Sequence, residues 1–197
     1  MTSVNVETLS DPTARAAALP ALARLRIAVF QEWPYLYEGT MEHEAHYLAA
    51  FEAEPGSVLV VARDGDRIVG AATASPMIGQ KPTVRDPMQA AGYDAATLFY
   101  FGESVLLPGY RGRGIGHAFF DHREAAARAA GSKAACYCGV VRPADHPLRP
   151  ASARDLGPFW RARGYAPVEG ALATFTWRDI DQSAETAHPL QFWARAL

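Results

Sequence analysis

One stretch restricts the fold of this chain more than any other: residues 100–116, which read YFGESVLLPGYRGRGIG. Residues 98–107 are apolar and aromatic enough for a strand, residues 108–114 form a glycine-rich turn, and residues 115–130 have a helical pattern closed by Gly131. Closely spaced glycines let backbone N–H groups converge where a helix begins. The unpaired amides and the helix dipole there favour an anion such as a pyrophosphate, and Arg111 and Arg113 add positive charge. Two common phosphate motifs fail. A Walker A loop requires Lys and then Ser or Thr after its last glycine, where this chain has Ile115 and Gly116. A dinucleotide fingerprint requires a glycine three positions after Gly114, counted from the Gly112–Gly114 pair, and His117 stands there instead.

The remaining elements follow from periodicity. Residues 4–9 alternate as a first strand, residues 14–30 place Leu19, Leu22, Leu25, Val29 and Phe30 at helical intervals, and a second helix is predicted over residues 41–51. Residues 58–62 and 68–72 flank Asp64-Gly65-Asp66 as a β-hairpin. Residues 76–96 read as a long connection with one helical turn at 87–91. Then come a strand at 133–141, a helix at 152–163 capped by Gly164 and a strand at 171–177. The order predicts an α/β (α+β) fold: a mixed, mainly antiparallel sheet of six or seven strands with helices on both faces. Residues 1–177 are expected to form one domain. Residues 178–197 are expected to be a tail whose Phe192 and Trp193 dock on the domain or on a partner subunit, a homodimer being one such assembly.

The chain has 197 residues, of which 49% are hydrophobic and 20% charged, a globular balance. A formal charge of −2 supplies no field for nucleic acid or anionic lipid. No apolar run reaches the ~20 residues of a membrane span, and residues 1–11 do not resemble a secretory leader; a cytoplasmic protein without nucleic-acid or membrane partners is expected. Cys136 and Cys138, two apart on a strand, point to the same face and are read as a reduced pair packed on the core.

Arg111-Gly112-Arg113-Gly114-Ile115-Gly116 resembles the acetyl-CoA pyrophosphate loop of the GNAT superfamily of N-acetyltransferases, Gln/Arg-x-x-Gly-x-Gly/Ala. Residues 105–110 are similar to that family's strand and approach. Phe159-Trp160-Arg161-Ala162-Arg163-Gly164-Tyr165 is similar to its short helix ending in aromatic, glycine and aromatic. The resemblance implies an enzyme that binds acetyl-CoA, with no metal, and moves its acetyl group to a small-molecule or peptide amine. It implies that the backbone of Ser104, Val105 and Leu106 holds the pantetheine arm at a splayed point of the sheet, and that amides from Gly112 to His117, including those of Arg113, Gly114, Ile115 and Gly116, hold the pyrophosphate. A backbone N–H near Leu106 would face the charge that develops on the thioester oxygen.

Glu103 is the one acid of the predicted strand and is read as the base for the acceptor amine or the anchor of its ammonium group, with Tyr100 in reserve. Where the family often has a tyrosine to protonate the leaving thiolate, this chain has Trp160, whose indole N–H is too weak an acid. Tyr165, Tyr137 or Cys138 are the substitutes considered, and a thiolate also leaves well unassisted. His43 and His46 lie on one helix without a third ligand at suitable spacing and are read as a solvated face, and His117 and His122 as packing or surface residues. Trp33 to Tyr37 fall where the family shapes its acceptor pocket, which makes them an aromatic wall or core. A domain that holds acyl-CoA and transfers nothing is the alternative reading.

Overall fold

The computed structural model describes residues 4–197, so the first three residues of the stretch read for a leader lie outside it. The elements are β1 (Asn5–Thr8), α1 (Pro12–Phe30), α2 (Met41–Ala53), β2 (Val58–Asp64), β3 (Arg67–Pro76), α3 (Pro82–Ala90), β4 (Leu98–Leu106), α4 (Ile115–Ala129), β5 (Ala134–Val140), α5 (Gly157–Ala162), β6 (Ala166–Trp177) and β7 (Thr186–Ala196). Local chemistry sets several boundaries. Asp11 accepts a 2.8 Å bond from the Ala14 amide at the start of α1, with Pro12 in the first turn, and Thr40 accepts from the His43 amide at the start of α2.

Seven strands form one sheet in the order β1-β2-β3-β4-β5-β7-β6. Every neighbouring pair is antiparallel except β4 and β5. That is the expected mixed, mainly antiparallel sheet. Helices α1 and α2 bring Leu22, Leu25 and Leu48 onto Leu59, Val61 and Val105 on one face. On the same face, Met88 of α3 packs with Met77, Cys136 and Phe192. On the opposite face, Phe119 and Phe120 of α4 cover Val60, Ala62, Phe99 and Phe101.

Two irregularities position the site. The parallel pairing of β4 with β5 runs only from Leu98↔Ala134 to Tyr100↔Cys136. Beyond it β4 stays with β3 as far as Leu106, and β5 stays with β7 as far as Val140, so a cleft opens between them. The second irregularity lies just past the last β4–β5 pair. Ser104 pairs with Ala72 and Phe101 with Ala74, leaving Gly102 and Glu103 together opposite Thr73 as a β-bulge.

Three expectations are corrected. Residues 76–96, read as a connection with one helical turn at 87–91, contain α3 at Pro82–Ala90. The helix predicted at 152–163 forms only at Gly157–Ala162, where the Asp155 carboxylate accepts from the Gly157 amide. Residues 186–196, read as part of a docking tail, are β7, which lies inside the sheet between β5 and β6. Phe192 and Trp193 are buried in this chain's own core, so they pack on the domain as expected, though as part of its sheet and not as a tail laid over it. Pro189 within β7 broke the strand signal, since proline seldom sits inside a sheet.

Candidate active site

The glycine loop folds as the residue types require. Gly114 is the N-cap of α4 at φ +83° and Gly112 has φ +76°, conformations that cost a side-chain-bearing residue strain. Among the described residues no side chain caps this helix, and its first backbone bond runs from Ala118 N to Gly114 O. The amides of Ile115, Gly116 and His117 precede that bond, as orphan donors of a fifteen-residue helix. The positions where Cβ atoms would stand at Gly112 and Gly114 are open space. Such a cradle has room and donors for a phosphate or diphosphate group. Arg113 stacks on Tyr110, and the His117 ring meets Phe159 edge-on. Arg111 points the other way: its Nε donates to Leu106 O at 3.1 Å and its Nη1 reaches Glu32 at 2.9 Å, tying the end of β4 to the chain after α1. In β4, Val105 is in the core, Ser104 is exposed and Leu106 is half-buried.

The bulge decides where Glu103 points. Leu98 and Tyr100 face the α3 side, and Phe99 and Phe101 face α4. Strict alternation would send residue 103 to the Phe101 face, but the extra residue reverses the parity. Glu103 therefore lines a cavity on the α1–α2 face, and Val105 follows it into that core. Side chains satisfy the disrupted ladder: Thr73 Oγ1 accepts from the Glu103 amide at 3.2 Å. From the α4 face, Arg123 donates to Thr73 O at 3.4 Å and to Glu103 O at 3.3 Å. Arg123 is fully buried, lies over Phe101 and Phe120, and has no ion pair among the described residues. Burial lowers its guanidinium to about 10, still protonated at neutral pH.

The cavity has a volume of about 680 Å³, within the usual range for small-molecule sites. A buried charge cluster forms its floor. Arg26 donates from Nε to Glu44 and pairs through Nη1 with Glu103 Oε2 at 2.9 Å. Tyr47 donates to the same Oε2 at 3.0 Å, and Tyr37 donates to Glu44 Oε1 at 3.0 Å. Burial opposes the Arg26 charge, but Glu103, Tyr47 and Glu44 outweigh it and hold the guanidinium more firmly protonated than usual. Glu103 Oε1 is buried and accepts nothing among the described residues. Arg26 lies 4.0 Å over the Tyr47 ring and 5.1 Å over Phe30; Phe30 meets Tyr35 at 4.5 Å, and Tyr35 meets Trp177 at 6.0 Å. Of the Trp33 to Tyr37 segment, Tyr35 and Tyr37 are cavity wall and Leu36 is core. His43 and His46, read as a solvated face, are exposed residues that also line this cavity.

Sequence reasoning missed Arg26, Glu44, Thr73 and Arg123. A signal existed for two of them: Arg26 stands four residues after Leu22, and Glu44 four before Leu48, so each interrupts an apolar helical stripe with a charge. Tyr100, the reserve candidate, lines the cavity with its hydroxyl 3.4 Å from Cys138 Sγ. Both cysteines are buried thiols, and burial pushes that of Cys138 up to about 12.

The structure does not bring Tyr165 to the cavity. It is buried on the α4 face and donates to Glu124 Oε1 at 3.1 Å, beside Arg163 and Arg195. Burial, then Glu124, raise its hydroxyl well above the usual tyrosine range. Trp160 packs against Trp193 and Tyr137 and ends 3.0 Å from where a Cβ on Gly139 would stand. Tyr137 follows the last β4–β5 pair, and its buried hydroxyl has no hydrogen-bond partner among the described residues.

The family model described as the acetyltransferase (GNAT) family matches residues 22–157. No curated protein sequence matches the chain significantly. Among solved structures, the chain is similar to the ribosomal-protein-alanine N-acetyltransferase from Brucella melitensis, with a TM-score of 0.61 at 14% identity over 98% of this chain and 99% of that one. It is also similar to an aminoglycoside 6'-N-acetyltransferase complexed with coenzyme A, with a TM-score of 0.59 at 16% identity over 98% and 96%. A third similar structure is yncA from Salmonella typhimurium with its cofactor acetyl-CoA, with a TM-score of 0.57 at 12% identity over 98% and 94%. At these identities the structures speak for the fold alone. The family model covers well over half of the chain, from α1 through the bulged strand and the glycine loop to the start of α5, and this chain belongs to the acetyltransferase (GNAT) family.

Proposed function

We propose that this chain transfers the acetyl group of acetyl-CoA to a primary amine by direct attack. The observation that carries the reading is the bulge at Gly102 and Glu103, which turns a carboxylate into an aromatic cavity beside the point where β4 and β5 part. The glycine loop follows at the end of the same strand. One strand thus links an anion cradle to an amine-binding acid.

In this reading the amides from Gly112 to His117, with those of Arg113, Gly114, Ile115 and Gly116, hold the diphosphate, and the backbone of Ser104, Val105 and Leu106 lies along the pantetheine arm in the cleft. Arg111 positions that stretch through Leu106 O. Glu103 receives the acceptor's ammonium on Oε1 and takes one proton from it, while Arg26 and Tyr47 fix Oε2. The freed amine forms the new C–N bond as the C–S bond breaks. The second nitrogen-bound proton balances the departing thiolate. Tyr137, one residue past the last β4–β5 pair and with a hydroxyl unpartnered among the described residues, is the group suited to hydrogen-bond that sulfur, rather than Tyr165, which is engaged with Glu124.

The test is to incubate the purified chain with acetyl-CoA and a panel of primary amines, following free thiol and the N-acetylated product. The reading expects the two in equal amounts for at least one amine. Acetyl-CoA binding with no thiol released by any amine would make the chain an acyl-CoA-binding module instead.

A further inference from the structure

The cavity's walls carry information about the acceptor beyond its being an amine. Two carboxylates, Glu44 and Glu103, share the single guanidinium of Arg26 on this face of the sheet. Arg123 faces them only through the backbone, from the opposite face, where it is bound to Thr73 O and Glu103 O. Within this cluster two carboxylates therefore meet one cation, and the carboxylate oxygen without a donor among the described residues is Oε1 of Glu103. Around that floor the wall is aromatic: Phe30, Tyr35, Tyr37, Tyr47, Phe175 and Trp177. Such faces attract a cation and stack on a flat body.

The remaining charges do not favour other amines. Lys81 and Glu54 both stand on the cavity lining, so beyond Arg26 and Glu103 it offers a second ammonium no net opposite charge. An α-carboxylate beside the reacting nitrogen would lie next to Glu103, whose Arg26 partner already donates to Glu44 and Glu103.

We infer that the acceptor is a primary amine with one ammonium group and a flat aromatic body, bound with its nitrogen on Glu103 Oε1 and its ring among Phe30, Tyr35 and Trp177. This inference rests on the acetyltransferase reading above. It differs from polycationic, amino-acid and peptide acceptors in charge and in the surface it buries.

The experiment uses the full chain and two readouts. The first is the melting temperature with and without acetyl-CoA. The second is the initial rate of thiol release with phenethylamine, tyramine, spermidine, kanamycin, L-phenylalanine and an alanine-initiated peptide. The expected result is an acetyl-CoA shift together with kcat/KM for phenethylamine or tyramine at least about 10-fold above every other amine. Tyr35→Leu should raise KM for phenethylamine by about 5-fold or more, with kcat and the acetyl-CoA shift retained. Phenethyl alcohol, which has the ring without the charge, should not inhibit the reaction competitively. An acetyl-CoA shift with spermidine, kanamycin, L-phenylalanine or the peptide preferred, or with no aromatic amine turned over, overturns the inference and leaves the family reading intact. Absence of the acetyl-CoA shift removes both.

Discussion

Arg142 and Asp179 meet with all three guanidinium nitrogens donating and both carboxylate oxygens accepting. The guanidinium donates to both carboxylate oxygens at 2.6 and 2.8 Å and to the carbonyls of Pro34 and Tyr35 at 2.8 and 2.6 Å, while Trp177 Nε1 donates to Asp179 at 2.9 Å. Across the cavity, Arg26 serves two carboxylates, and one oxygen of Glu103 is left without a donor among the described residues. Both clusters are buried and both hold cavity-lining aromatics. They differ in closure. A saturated pair ties the loop after α1, the segment after β5 and the turn after β6 into one wall, and its contribution is positional. An unsaturated one retains capacity for a ligand, because an unmet buried acceptor gains from any donor that arrives.

The largest expected effect comes from breaking the closed cluster. Asp179→Ala leaves the Arg142 charge buried without a partner, and should cost about 3–5 kcal/mol in chemical denaturation, lowering the melting temperature by roughly ten degrees or more. The pair also predicts an acid response. Burial pushes the Asp179 carboxyl up, but the Arg142 hydrogen bonds and charge, with His188 and Trp177, outweigh it and hold it below the ordinary range. Its stabilisation is complete above the unfolded aspartate value of about 3.9 and is lost as pH falls through the lower folded value. Asp179→Asn should flatten that part of the stability–pH curve.

The open cluster should respond in the opposite way. In Glu103→Gln, Arg26 keeps Glu44 and the side chain keeps its size, so stability should stay within about 1 kcal/mol of wild type. Turnover of a verified amine should fall by about 10²-fold if Glu103 takes the proton. If Glu103 only anchors the ammonium, the acceptor KM should rise with kcat little changed. A Glu103→Gln protein that loses several kcal/mol and keeps both kinetic parameters would erase the contrast between the two clusters.

How far the sequence revealed this site depends on which interactions are local. The glycine loop, the α4 start, the hairpin and the mixed sheet were legible because turn residues, caps and periodicity act within a few positions. Glu103 was legible as the lone acid of β4, though its orientation was not. The bulge that turns it depends on Thr73 and Arg123, which lie 30 and 20 residues away. Arg26 appeared only as a charge in an apolar stripe. The pairing of Arg142 with Asp179 left no local pattern, and β7 was hidden by Pro189. Tyr165 matched a motif position, yet its hydroxyl is committed to Glu124.

The smallest expected effect concerns Trp160. It packs against Trp193 and Tyr137 and is not among the residues that line the Glu103 cavity, so Trp160→Phe should cost about 1 kcal/mol of stability and keep most of the turnover. A folded Trp160→Phe protein without activity would give the indole a chemical role that its packing does not explain.

The claim beneath both clusters is that the loop at the end of β4 delivers acetyl-CoA to this cavity, and calorimetric titration with acetyl-CoA tests it most directly. Wild type should bind one equivalent. Gly114→Val, which puts a branched side chain into the open cradle at φ +83°, should keep a cooperative melt and lose the binding heat. No binding heat from wild type, or equal heat from wild type and a folded Gly114→Val protein, would contradict the account.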